Sequence, residues 1–330
     1  MGASTARTVS DASPAPALPS SPQAPAPLGR VYAALFLQVL LSAGTYLAGK
    51  RAMEELSPST TILWRFLISG TTFVMILLLT PGAKLPPRSE WRKTLWLGLL
   101  AGPVNQLLFF TGLARTPAAH GALLYAMTPL GVYVTSLLRG QERSSARAVA
   151  GIVTAFTGVV VLLLGRGLAS VRGSLVGDLL ILGAVVAWVL YTTEGRPFAA
   201  SHGPIRATAW SMIAAMLLML PLAPFALRPS EVLNASLAAR GSVLYVALLT
   251  SVVAYLLWYY ALSKVPASKV AIFSNLQPVA TALAAWALMG EALHWELAVG
   301  GVLVIAGVRL TQGASVQPAP SARLEERRTT

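Results

Sequence analysis

Between Val31 and Gln312 the chain is a succession of apolar runs, each about twenty residues long, joined by short polar connections. A helix of that length crosses the hydrocarbon core of a bilayer. Lipid offers a backbone no hydrogen bonds, so a chain built of such runs is restricted to helical bundles and closed barrels. The runs are unbroken and do not alternate apolar with polar residues as barrel strands do, which leaves helices. Composition agrees: 11% of the residues are charged, where a soluble domain carries about a quarter. The surface must therefore meet a solvent other than water.

Ten spans are expected, at 31–50, 59–80, 94–114, 117–138, 146–165, 174–194, 207–227, 241–262, 267–289 and 293–312. Residues 1–28, rich in Ala, Pro and Ser, bury no large apolar group and read as a disordered tail, not a signal peptide. Residues 313–330 read as a polar cytoplasmic tail. Lys and Arg set the orientation. With the amino terminus inside, seventeen of them fall on the cytoplasmic side and seven outside, and Arg65 alone lies deep within a span. Both termini are expected in the cytoplasm and the whole in a bacterial inner membrane.

The net charge of +13 is spread in ones and twos, which argues against a nucleic-acid partner. With no Cys, and with His120, His202 and His294 far apart, neither a metal site nor a cofactor is expected. The expected partners are a small-molecule substrate and the lipid bilayer; monomer and homodimer both remain open.

The chain repeats itself. At a shift of 149 residues Pro117, Ala118 and Ala122 fall on Pro266, Ala267 and Ala271, and Pro129 falls on Pro278. Glu142 falls on Glu291, Gly151 on Gly300 and Gly158 on Gly307, while Trp64 meets Trp210 at a shift of 146. Unrelated apolar helices share Leu and Val, but not prolines, a glutamate and glycines in register. Five spans per copy is an odd number, so the second copy must enter the membrane from the opposite side. Residues 29–166 and 167–312 are then two inverted five-helix repeats, a plan common among secondary transporters.

These residues resemble the EamA-type transporters of the drug/metabolite transporter superfamily. In the first copy the resemblance rests on Arg65-Phe66, Ala114, Thr116-Pro117-Ala118-Ala119, Thr128-Pro129 and Gln141-Glu142-Arg143. In the second it rests on Gly177-Asp178-Leu179-Leu180, Ala187-Trp188 with Tyr191, Gln277-Pro278, and Gly290-Glu291 followed by Gly300 and Gly307. It implies an all-α integral membrane protein of ten helices in two copies. The first span lacks a tryptophan that such proteins often carry near Gly44, and Gln141 stands where glycine is usual before Glu142.

Arg65 is the sharpest single candidate. It lies about 10 Å inside its span, and a charge at that depth is kept toward a bundle interior or a wet cavity. It reads either as a counter-charge for a carboxylate-bearing solute or as a structural cap on backbone carbonyls. Asn105, Gln106, Asn275 and Gln277 are amides within spans, able to line a cavity or to join helices. Tyr46, Tyr125, Trp188, Tyr191, Trp210, Tyr255 and Tyr259 are candidate walls for an apolar or cationic solute. Pro129 and Pro278 are candidate kinks for gating. The paired glycines of the last helix in each copy read as close-packing seams. Asp178 and Glu194 border the sixth span, and no acidic residue falls securely at its centre.

The function expected is secondary transport of a small metabolite, an amino acid or a related or amphipathic compound, outward and by alternating access. A membrane-embedded enzyme, a channel and a sensor are the alternatives. An enzyme needs a nucleophile, base or metal cluster at one depth, and a channel needs rings of charge or pore-lining carbonyls. Neither pattern is present.

Overall fold

The computed structural model describes residues 28–82, 85–139, 145–164, 171–226, 228–265, 267–290 and 295–312. The two tails, Gln141-Glu142-Arg143, Glu291 and His294 lie outside the described residues. Among the described residues every regular element is helical. In chain order the first copy holds α1 (Leu28–Met53), α2 (Pro58–Leu79), α3 (Arg88–Leu113), α4 (Ala118–Tyr125), α5 (Thr128–Leu138) and α6 (Ala146–Leu164). The second holds α7 (Val171–His202), α8 (Pro204–Ala226), the short α9 (Pro229–Asn234), α10 (Leu237–Lys264), α11 (Ala267–Ala271), α12 (Gln277–Met289) and α13 (Trp295–Gln312).

Among the described residues, six helices are long and apolar enough to cross a membrane: α1, α2, α3, α8, α10 and the part of α7 from Leu175 to His202. The other apolar helices are shorter. Residues expected to form one continuous fourth span instead form α4 and α5, parted at Ala126 and Met127. The expected ninth is α11, a tight 3-10 turn at Ile272–Leu276, and α12. Pro129 and Pro278 stand in the first turn of α5 and of α12. A proline there removes no intrahelical bond, because the first N–H groups of a helix have no partner within it. The break precedes each proline.

The sixth span runs longer than the sequence suggests, past Glu194 and Pro197 to His202. Glu194 lies on the continuing helix and pairs with Lys93 and Arg139. Local signals set the other boundaries. Ser57 caps α2 by accepting from the Thr60 N–H, and Pro58 occupies its first turn. Gly290 ends α12 in the left-handed region at φ 68°, where a side chain would be strained.

Packing between the copies is symmetrical. α1 lies on α10 as α7 lies on the second half of α3; α1 lies on α12 as α7 lies on α5. α3 lies on α8 as α2 lies on α10. Two contacts map onto themselves, α2 with α8 and α6 with α13. The last is the glycine seam: a Cβ added at Gly158 would stand 2.7 Å from the Gly300 carbonyl oxygen, so only glycine lets these helices approach so closely. The core is built of such crossings, while large apolar side chains such as Leu78, Leu79, Phe156, Trp286 and Val302 stand exposed around the outside. That inside-out pattern suits a lipid-facing surface.

Candidate functional site

Where the two copies meet, the bundle holds a narrow cavity of about 60 Å³. The space holds a few waters and is well below the roughly 300 Å³ of a ligand pocket. Two local distortions lead into the cavity. In α3 the helix widens to π geometry at Leu100–Val104, around Pro103, just before Asn105 and Gln106. In α10 it does so at Tyr245–Ala254, which contains Thr250 and Ser251. These are corresponding helices of the two copies, and π segments inside α-helices are frequent at functional sites.

Arg65 is 2% exposed and sits against both distortions. Its Nε donates to Ser251 Oγ at 2.6 Å, and its Nη1 donates to Gln106 Oε1. Ser251 passes the bond on to the Val246 carbonyl five residues back, the spacing of the π turn. Gln106 donates to Asn105 Oδ1 and to the Tyr255 hydroxyl at 3.4 Å. Asn105 donates to the Tyr125 hydroxyl at 2.8 Å and to the Ala184 carbonyl at 2.6 Å. The Phe66 and Phe110 rings lie 5.8 and 5.6 Å from the guanidinium carbon. Among the described residues no carboxylate pairs with Arg65. A charge within a span is unfavourable by ~3 kcal/mol on insertion scales, and here neutral dipoles and ring faces alone offset it.

The cavity brings together eight of the twelve residues singled out as its candidates: Arg65, Tyr46, Asn105, Gln106 and Tyr125 from the first copy, and Trp188, Tyr255 and Gln277 from the second. Each copy supplies an aromatic wall. Tyr46 and Tyr125 meet Phe109 edge-on at 5.3 and 5.4 Å. Opposite, Trp188 meets Tyr255 at 5.2 Å and Trp258 at 5.5 Å. Tyr191 and Tyr259 stand behind that second wall, with Tyr191 bonded to Ser211 at 3.1 Å. The Asn275 side chain is outside the described ones.

Trp210 does not line this cavity. It packs on Phe198 and His202, in a surface groove shared with Trp91. α8 begins at Pro204, so Trp210 is only about 9 Å from its end, a depth for an interfacial aromatic. Neither acidic residue of the sixth span faces the cavity: Asp178 accepts from Thr116 Oγ1 at 2.8 Å, and Glu194 lies among its cations.

Sequence reasoning passed over the polar stripe of α1. Gln38, Ser42 and Thr45 all line the cavity, and Thr45 meets Thr250 across the copies at 2.8 Å. Their spacing of four and three residues is one face of a helix, a signal that was legible. Ser274, Thr250 and Ser251 carried no comparable pattern.

A bundle of membrane-crossing helices, doubled within one chain and packed around a polar, aromatic-walled cavity where its halves meet, is the architecture of a multi-pass membrane transporter. The chain belongs to the EamA-like transporter family, whose model matches it twice, at residues 29–164 and 175–312. It is similar to the uncharacterized transporter YyaM of Bacillus subtilis (strain 168), with 28% identity over 86% of this chain and 93% of that protein. It is also similar to a probable terminal-alkyne amino-acid exporter of Streptantibioticus cattleyicolor, 28% identical over 62% of this chain and 67% of that protein. A solved crystal structure at 20% identity covers 86% of this chain and 98% of its own, with a TM-score of 0.64, a likeness of fold.

Proposed function

We propose that this transporter is a secondary carrier that exports a small metabolite across a bacterial inner membrane by alternating access. The solute class is an amino acid, a related compound or an amphipathic molecule. Ten spans, with both termini in the cytoplasm and the second copy inverted, are the topology that goes with it. The observation that carries the reading is the cavity itself: narrow, rich in polar side chains, and lined by residues of both copies. A carrier needs one site that either side reaches in turn, and a site at the junction of two pseudo-symmetric halves meets that need. The copies are joined at both ends of the bundle, by Glu55 with Ser236 and by Glu194 with Lys93. Opening either end alone leads to one side. The exporter relative supports the outward direction.

The test is flux. Purified protein in liposomes loaded with labelled amino acids, organic acids and amphipathic amines should show saturable efflux of at least one member. Equal leak with and without protein across the whole panel would overturn the reading.

A further inference from the structure

The lining of the cavity carries an unbalanced charge. Arg65 is the one charged residue among its sixteen described lining residues; the others are hydroxyl, amide, aromatic and alanine side chains. Ser251 and Gln106 engage two of the five N–H groups of the guanidinium and the Tyr255 hydroxyl is a further neutral partner, while no carboxylate among the described residues neutralises it. A buried cation held this way is completed by an anion, and a carboxylate fits the planar guanidinium fork with two parallel bonds.

A second observation bears on the far end of the cavity. Gln38 is 4% exposed and its Nε2 donates to Ser42, while its Oε1 has no hydrogen-bond partner among the described residues. Gln38 lies seven residues before Thr45 on α1, about 10 Å along the axis. Thr45 in turn meets Thr250, the neighbour of Ser251, at the level of Arg65. The anion-seeking group and the unsatisfied amide are thus set apart along the helix, with the two aromatic walls around the space. An α-amino acid carries its carboxylate and ammonium on one carbon. With its carboxylate on Arg65, its ammonium would lie beside the cation, with no acidic group among the described lining residues to receive it.

We propose that the site selects an amphipathic monocarboxylate, with the carboxylate on Arg65 and an apolar body between the aromatic walls, over zwitterions and cations of the same shape. Gln38 serves as a second polar contact for longer members. This rests on the cavity being the carrier's solute site, and it narrows the solute class.

Three probes share one skeleton and differ in charge: 3-phenylpropionate, phenylalanine and 2-phenylethylamine. Equilibrium binding of each is measured on the full chain in phosphatidylcholine nanodiscs at pH 7. The acid should bind at least about tenfold more tightly than phenylalanine, the factor expected for one desolvated charge-assisted contact, and the amine should not bind saturably. Arg65→Lys should weaken the acid and keep the order of preference. Gln106→Glu places a carboxylate beside Arg65, so it should abolish acid binding while the melting temperature holds or rises. A purely structural arginine would weaken all three probes alike in Arg65→Gln and leave the acid's preference over phenylalanine intact, whereas loss of that preference is expected here. Phenylalanine or the amine binding as well as the acid, no probe binding, or undiminished acid binding in Gln106→Glu would each overturn the proposal. The carrier reading is separable: acid that binds without flux sinks the carrier and keeps the site, while efflux of another solute with no acid binding does the reverse.

Discussion

The two ends of the bundle are closed by different chemistry, although both closures join one copy to the other. At one end, carboxylates receive backbone and hydroxyl donors. Glu55 of the first copy accepts from the Ser236 N–H and hydroxyl, both at 2.7 Å, at the start of α10. Glu231 of the second copy accepts from the Ser57 N–H and hydroxyl, both at 2.9 Å, at the start of α2. Each copy thus caps a helix of the other, and the partial positive charge of each helix start favours the arrangement. At the opposite end Glu194 bridges Lys93 and Arg139, and Arg206 reaches the Gly82 carbonyl at 2.6 Å. The first closure is fixed to backbone; the second hangs on long side chains. Donors fixed by the fold hold position without further ordering, whereas a Lys or Arg pair gives up side-chain entropy and is screened by salt.

The largest test of this comparison is all-or-none. The chain has no Cys, so Glu54→Cys and Arg147→Cys each introduce a single thiol at an exposed position, one at either end of the bundle. On the proposed topology a membrane-impermeant maleimide added to whole cells labels the first and not the second. Both labelling from one side would dissolve the distinction between the ends. Next in size, Ser57→Ala with Ser236→Ala removes both caps and the hydroxyl half of each bridge at the first end, leaving the backbone N–H bonds to Glu231 and Glu55. At about 1 kcal/mol per cap, the pair should lower stability by roughly 2 kcal/mol, since separate caps add. Thermal unfolding in detergent reads this, and the loss should be the same in low and high salt.

Glu194→Gln should do less, roughly 0.5–1 kcal/mol, because the groups it releases are partly exposed. Molar salt should reproduce much of that loss in the unmutated protein; a salt-independent loss would contradict the ion-pair account. The smallest effect concerns pH. Backbone and side-chain bonds from Ser236 hold the Glu55 carboxyl below its ordinary value of about 4.5. Burial pushes Glu231 the other way, yet bonds from Ser57 and Thr60 and the nearby Arg228 leave it lowered too. A lowered folded-state pKa stabilises above the unfolded value and is lost as pH falls through the folded one. The stability difference between the unmutated protein and Glu55→Gln with Glu231→Gln should therefore be constant from pH 7 to about 5 and shrink below pH 4.5.

The uneven legibility of the site has a physical origin. Arg65, Asn105 and Gln106 stand out in apolar runs because polar groups in lipid are unfavourable, so their presence alone demands a cavity or a partner. Gln38, Ser42 and Thr45 obey the same rule more quietly, since small hydroxyls bond their own helix and raise no alarm in an apolar run. Trp210 carries no such signal, because an aromatic ring is at home in a core, a cavity or an interface alike, and only its packing on Phe198 and His202 places it away from the cavity. The broken helices α4–α5 and α11–α12 were read as kinks at proline, but each break falls before its proline.

The sequence alone determined that the chain is helical, that it lives in lipid, and that it carries two copies of one unit, because each follows from local composition and periodicity. Only the tertiary structure decided which polar residues face one another, that Arg65 joins Ser251 of one π turn to Gln106 just past the other, and that each copy caps the other at one end. Those contacts join residues such as Arg65 and Ser251, or Ser57 and Glu231, that are more than 170 positions apart. Pairing at that separation is set by how helices cross, which no local pattern records.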